Sequence, residues 1–190
     1  MRSILFVALA SALFVSSFTL AMSPGHAPLP PEFSAIAEEN PHPFLPIAGV
    51  LKHPRCMNCH VSGESPRQGD LSKIHSPPVK RGPDGRGQGM KCTSCHREKN
   101  GPVIPGAPDW HLAPLSMAWE GLNESDLCRT LTDQTKNGGR SPEALADHML
   151  NDALVGWAWN PGGKRTPVPV SKEEFGVLLQ SWIAAGAPCP

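Results

Sequence analysis

The feature that most constrains this chain is a short cysteine pattern that occurs twice. Each copy has two cysteines three positions apart and a histidine directly after the second, which makes a C-x-x-C-H motif. The residues of the two motifs are Cys56, Cys59, His60, Cys92, Cys95 and His96. This spacing is typical of c-type haem attachment, because both thiols reach one porphyrin and the histidine binds the iron as proximal ligand. The sequence therefore predicts two covalently attached haem c groups.

Other uses of these cysteines remain open from the sequence. Two C-x-x-C pairs can bind zinc through four thiolates, although zinc leaves both histidines without a role and their separation is longer than in the usual zinc ribbon. A thioredoxin-type redox motif requires a βαβ setting that the sequence does not show. Plain disulfide pairing within the motifs is the remaining alternative.

The N-terminus has the three parts of a secretory signal peptide. Arg2 supplies the positive charge, an apolar stretch begins at Ile4, and Ala21 is a small residue suited to cleavage. We expect residues 1–21 to be removed and the mature protein to be periplasmic, in the compartment where bacteria attach haem to such motifs. An uncleaved membrane anchor is the alternative. No other segment is apolar enough to cross a bilayer, so we expect no membrane span after cleavage.

Two cysteines, Cys128 and Cys189, belong to neither motif. A disulfide between them fits an oxidising compartment and ties the C-terminal end of the chain back to an interior helix. Two buried free thiols are the alternative.

The remaining chain divides by composition. Residues 22–46 are rich in proline and alanine and are expected to form an extended leader, and residues 47–190 form the dihaem domain. The chain has 22 prolines and 18 glycines, well above ordinary usage. A chain of this kind builds little apolar core from secondary structure alone. Two buried porphyrins are therefore expected to supply much of the core.

Three helices are predicted between about residues 123 and 186. The first begins near Asn123, the second is capped by Ser141, and the third opens with a capping box at residues 171–174 and ends before Gly186. No strand pattern is convincing. The predicted fold class is mainly α with extensive coil and few or no strands, as in a small dihaem cytochrome c.

The second axial ligand of each iron has to come from outside the motifs. His75, in the loop between the motifs, is the first choice, and His111 is the second. His53 ranks third, because it lies too close to its own haem and has to cross to the other. Met117 is the best thioether, below the histidines, and His148 is interpreted as a core or surface histidine of a helix. We expect two histidines at both irons, which leaves the potentials lower than a histidine–methionine pair does.

Charge is distributed unevenly although the formal net charge is +0. Between Glu64 and Lys99, eight basic residues are opposed by four acidic ones. This basic segment either steers an acidic redox partner or neutralises haem propionates, and both uses remain open. The overall balance does not support nucleic-acid binding.

Similarity to a known family extends beyond the two motifs. The segments that carry it are residues 53–60, 68–70, 105–110, 112–119, 154–162 and 186–190. On these segments the chain resembles a family of small proteobacterial dihaem proteins often labelled as isoquinoline 1-oxidoreductase subunits. The resemblance implies the haem roles already given to the six motif residues. It also implies an electron acceptor for a periplasmic molybdenum-containing hydroxylase.

Together these features predict an electron carrier and not an enzyme. Two six-coordinate haems are expected to accept electrons from a periplasmic dehydrogenase or hydroxylase and to pass them to the respiratory chain. A dihaem peroxidase is one alternative, but it needs an open or displaceable position at one iron, and known examples are considerably longer. A haem-based sensor or binding subunit without turnover is another.

Overall fold

The computed structural model describes residues 42–190, so the predicted signal peptide and most of the predicted leader lie outside the described residues. The helices are α1 Leu45–Leu51, α2 Pro54–Met57, α3 Glu124–Thr132, α4 Pro142–Asn151, α5 Ala153–Gly156 and α6 Lys172–Ala184. The strands are β1 Arg67–Gln68 and β2 Lys73–Ile74, and short 3₁₀ turns cover Cys92–Ser94, Leu115–Met117 and Trp157–Trp159. The described chain is thus mainly helix and coil, as predicted. Within residues 42–190, none of the helices is both long and apolar enough for a membrane span.

The three predicted helices are confirmed as α3, α4 and α6, and each begins at a side-chain cap. Asn123 and Ser141 each accept a hydrogen bond from the backbone N–H three residues further on. Ser171 and Glu174 form the predicted capping box, in which each side chain accepts from the other residue's backbone N–H. Because these caps satisfy N–H groups that have no partner inside the helix, they determine where the helices begin.

One helix, α1, crosses the predicted boundary between leader and domain at residue 46. Phe44, just before α1, is fully buried and lies against Trp182 of α6, with ring centroids 5.5 Å apart. Pro46 lies in the first turn of α1, where its missing N–H has no cost. The prediction of an extended leader up to residue 46 is therefore wrong at its end. The proline that indicated coil also suits the start of a helix.

The strands form one small antiparallel hairpin, in which Arg67 pairs with Ile74 and Gln68 with Lys73. Gly69 and Ser72 have positive φ angles of 72° and 47° in the turn between them. Such a short ladder has no alternating apolar pattern. The prediction of few or no strands agrees with it.

The apolar core lies where α1, α3, α4 and α6 meet. Its largest fully buried side chains include Phe44, Ile47, Leu127, Leu131, Phe175, Leu179 and Trp182. In contrast, residues 62–106, all of which the structure describes, bury no apolar side chain. The segment that carries the second motif therefore has no apolar core made from its own side chains.

A disulfide closes the C-terminal part of the fold. Cys128 of α3 is fully buried and is bonded to Cys189, with Cα atoms 5.5 Å apart. Nearby, the indole N–H of Trp182 donates to the Pro188 carbonyl at 2.8 Å. These contacts hold the C-terminal segment against α3 and α6, in the pairing that the sequence analysis expects.

We expect loss of this disulfide to lower the free energy of unfolding by about 4 kcal/mol, because the bond closes a long loop in the unfolded chain. The residues joined are 61 positions apart. The measurement is chemical denaturation of haem-loaded Cys128→Ala, Cys189→Ala and the double variant. Each single variant should lose as much as the double, since either change breaks the same bond. An unchanged unfolding midpoint in the double variant contradicts this prediction.

Candidate functional site

The first motif lies on α2 and the turn that follows it. His53 caps α2, since its Nδ1 accepts a hydrogen bond from the backbone N–H of Arg55 at 3.2 Å. The backbone N–H groups of Cys59 and His60 both donate to the Cys56 carbonyl, at 3.1 and 3.3 Å. This single turn brings both thiols and the histidine to one wall of a cavity.

The second motif repeats this backbone geometry on the 3₁₀ turn Cys92–Ser94. The N–H groups of Cys95 and His96 donate to the Cys92 carbonyl at 3.1 and 2.9 Å. Equivalent hydrogen bonds join equivalent positions in the two motifs, although the segments around them share no secondary structure. The two motifs therefore share one local backbone geometry in different structural settings.

All four motif cysteines are free thiols. Burial, the largest cause, raises the pKa of Cys56 to about 12 and that of Cys59 to about 11, so both are uncharged at neutral pH. Throughout residues 42–190, no group of three or more Cys, His, Asp or Glu side chains is placed to bind a metal ion directly. A zinc site of four thiolates needs the two cysteine pairs to converge, and this arrangement does not provide that. Four free thiols are what thioether attachment requires.

Both motif histidines are oriented by a hydrogen bond to a backbone carbonyl. His60 Nδ1 lies 2.7 Å from the Met117 carbonyl oxygen, and His96 Nδ1 lies 2.8 Å from that of Pro105. A carbonyl only accepts, so Nδ1 carries the proton in each ring and Nε2 keeps its lone pair. Burial is also the main cause that lowers the pKa of His60, to about 4. Both rings are therefore neutral imidazoles prepared for metal ligation through Nε2.

A tryptophan stacks on each motif histidine. Trp119 lies parallel to His60 with ring centroids 3.4 Å apart, and Trp110 lies parallel to His96 at 4.4 Å. With the carbonyl bond, the stacking fixes the rotation of each imidazole. These tryptophans are site residues that the sequence did not assign, although both lie in segments that carry the family resemblance.

Each motif faces its own cavity. We call them the first-motif cavity, of about 450 Å³, lined by Cys56 and His60, and the second-motif cavity, of about 610 Å³, lined by Cys92 and His96. Both volumes lie within the range of roughly 300–1,000 Å³ that is usual for bound small molecules and cofactors. The residues that line both cavities are Arg55, Cys59, Trp110, His111 and Trp157. The two sites are therefore adjacent.

His75 lies close to His96 in the second-motif cavity. Their ring centroids are 6.0 Å apart. Two imidazoles that bind one metal ion from opposite sides, each at about 2.0 Å, have centroids roughly 6.4 Å apart. His75 Nδ1 is also 2.8 Å from a carbonyl oxygen, that of Pro77, which leaves its Nε2 free. The geometry fits the first-choice distal candidate.

The other predicted distal candidates differ in position. His111 lines both cavities, and its Nδ1 hydrogen-bonds the Asp109 carbonyl. Met117 lines the first-motif cavity, but its backbone carbonyl is the group that His60 Nδ1 hydrogen-bonds. His53 lines neither cavity, and because its Nδ1 accepts a hydrogen bond, the neutral ring carries its proton on Nε2. His148, which the sequence ranked below these, lines the first-motif cavity.

Arg55 is a buried charge at the boundary between the cavities. Its side chain is only 2% exposed and is paired with Asp70, and its guanidinium lies 5.6 Å from the Trp157 ring centre. Its Nε has no hydrogen-bond partner within the described part of the chain. An unpaired buried N–H is costly, so this position fits a bound anionic group such as a haem propionate. Nothing in the sequence singled out Arg55 for this role.

The rim of the second-motif cavity is apolar and exposed. Its large exposed apolar side chains are Leu71, Met90, Val103 and Ile104. Exposed apolar side chains gathered around one cavity indicate an apolar binding partner. Thiols, oriented imidazoles, a buried guanidinium whose Nε has no partner among the described residues, and an apolar rim together match the chemical groups of a haem.

Comparison with known proteins adds no assignment to this geometry. No protein-family model, curated protein or solved structure matches the chain. The argument for function therefore depends on the residues and their arrangement.

We expect Asp70→Asn to destabilise the haem-loaded protein by about 2 kcal/mol, because it removes the charge that pairs with the buried Arg55. Asp70 also accepts two hydrogen bonds from Thr166, at 2.8 and 3.3 Å. The matched control is Asp126→Asn, which removes the partner of Arg129 in an exposed pair and should cost less than about 0.5 kcal/mol. Urea denaturation measures both. Equal effects at the two positions contradict the prediction.

Proposed function

We propose that this protein is a periplasmic electron carrier with one c-type haem attached at each motif. The observation that carries the proposal is the duplicated local geometry: in both motifs, two free thiols adjoin a neutral histidine whose Nε2 is left unprotonated by a carbonyl bond. The covalent attachment and the fold of a small cytochrome c remain parts of this proposal.

The residues that would hold the two groups follow from their positions. Cys56 and Cys59 would attach the first haem, with His60 as its proximal ligand. Cys92 and Cys95 would attach the second, between His96 and His75. A bound haem supplies a reversible one-electron iron couple. The chain supplies neutral imidazole donors, stacked tryptophans that hold those rings in place, and a buried guanidinium for a propionate.

Two features of the second-motif cavity support a carrier over an enzyme. The His75 ring lies 6.0 Å from the His96 ring, centroid to centroid, so His75 would be available as the second ligand of an iron held by His96 and would leave no open position there for a substrate. Both imidazoles are held by carbonyl hydrogen bonds, which resist displacement. A peroxidase or a gas sensor needs an open or displaceable position.

The chain also brings the two sites together. Cys59 lines both cavities although it belongs to the first motif. Trp110 and Trp157 line both as well and are in edge-to-face contact, with ring centroids 4.9 Å apart. This adjacency suits passage of electrons between the two sites within one molecule.

The basic segment is only partly available to a partner. Arg67, Lys80 and Arg86 form ion pairs with Glu120, Glu64 and Asp109, respectively. Four exposed cations form no ion pair with another described residue, and they are Lys73, Lys91, Arg97 and Lys99. Of these, Lys73 and Lys91 line the second-motif cavity. We propose that an acidic dehydrogenase docks there, for which the family resemblance suggests a molybdenum-containing hydroxylase.

Haem content tests the attachment sites. Expressed in a host that matures c-type cytochromes, the wild-type chain should carry two haems through denaturing electrophoresis. Cys56→Ala/Cys59→Ala and Cys92→Ala/Cys95→Ala should each carry one, as seen by haem staining and intact mass. The matched control, Cys128→Ala/Cys189→Ala, removes two cysteines of neither motif and should keep both haems. A wild-type protein with the mass of its polypeptide alone overturns the proposal.

Reactivity separates the carrier from its alternatives. We expect the protein to be reduced and reoxidised reversibly in an optical redox titration. The reduced protein should bind carbon monoxide only slowly, and the oxidised protein should not turn over peroxide, because histidines occupy the axial positions. Rapid reaction of either haem with carbon monoxide or peroxide contradicts the carrier and favours a sensor or a peroxidase.

A further inference from the structure

We infer that His148 is the second axial ligand of the iron that His60 binds. This assignment depends on the proposed function, since it concerns a haem at the first motif. It differs from the sequence prediction, in which the distal candidates are His75, His111, His53 and Met117, and His148 is a core or surface histidine.

The position of His148 carries the inference. His148 lies on α4, which packs against α5 and α6. Leu145 and Met149, three residues before and one after His148, line the same first-motif cavity, so this face of α4 forms one of its walls. Cys56, Cys59 and His60 line the same cavity. The histidine is thus presented from a packed helix to the space that the first motif adjoins.

The Asp152 carboxylate lies beside the His148 ring. One carboxylate oxygen, Oδ2, lies 3.7 Å from His148 Nδ1. The other, Oδ1, accepts hydrogen bonds from the backbone N–H groups of Leu154 and Val155 at 2.8 and 3.1 Å, which hold the carboxylate as the cap of α5. A carboxylate beside Nδ1 favours the proton on that nitrogen and leaves Nε2 for a metal. Burial, as the largest cause, also lowers the pKa of His148, which favours the neutral ring.

Two of the other donors near this cavity, Met117 and His75, have competing roles. The Met117 backbone carbonyl accepts the hydrogen bond from His60 Nδ1, so this part of Met117 lies at the edge of the ring away from Nε2. His75 is paired with His96 in the other cavity. His111 lies in coil at the boundary and lines both cavities. His148 is the histidine outside the motif that lines the first-motif cavity and not the second.

The test replaces His148 in the haem-loaded protein and follows the spin state of each iron by optical and EPR spectroscopy. The wild-type protein should show two low-spin haems. His148→Ala should keep two haems but lose half of the low-spin signal to a high-spin form, and added imidazole should restore it. His148→Met should instead produce the far-red sulfur-to-iron band at one haem and raise its potential.

The controls are His111→Ala and Met149→Leu, which should leave both haems low-spin. Two low-spin haems in His148→Ala overturn the assignment, as does a high-spin haem in either control variant or in the wild type. These outcomes test the His148 assignment and not the proposed electron carrier, because the haem content of the same samples tests the carrier separately. Absence of haem from the wild type instead overturns the proposed function, and the assignment with it. An unchanged circular dichroism spectrum and haem count show that the variants are folded.

Discussion

The hydrogen bond from each motif histidine to a backbone carbonyl is the contact on which the rest of the site depends. It joins His60 to the Met117 carbonyl and His96 to that of Pro105, so each motif is tied to a later loop. The bond fixes the tautomer, because a carbonyl cannot donate, and it sets the direction of Nε2. A tryptophan stacked on each ring prevents its rotation. Two sites of different sequence context thereby acquire the same chemistry.

The distribution of apolar side chains leaves the segment around the second motif without an apolar core of its own. The helices α1, α3, α4 and α6 pack around one core that includes Phe44 and Trp182. Residues 62–106 bury no apolar side chain, yet Leu71, Met90 and Val103 are exposed around the larger cavity. Under the proposed function, a porphyrin covers that apolar rim and replaces the core that this segment lacks. Attachment of the cofactor and folding of the second motif are then coupled, as they are at other sites where ligand binding supplies folding free energy.

Local signals account for the parts of the fold that the sequence predicts well. The starts of α3, α4 and α6 depend on Asn123, Ser141 and Ser171, whose capping bonds reach only three residues along the chain. The sequence did not predict the start of helix α1, because Pro46 suits both coil and a first helical turn. Only the burial of Phe44 against α6 decides between these two conformations. The assignment of His75 as a distal ligand depends on its place in the loop between the motifs, and it stays a prediction. His53 ranked third among the distal candidates, and the sequence did not indicate that it caps α2.

The sequence by itself determined the spacing of the thiols and histidines in the two motifs and the local structure around them, since motif spacing and helix caps act over a few residues. It also indicated the pairing of Cys128 with Cys189. Only the tertiary structure decided which side chains surround each motif histidine. The carbonyl of Met117, the stacked Trp119 and the face of α4 that bears His148 all reach His60 or its cavity from distant parts of the chain. Such contacts depend on how helices and loops pack, and no periodicity or spacing in the sequence encodes them directly.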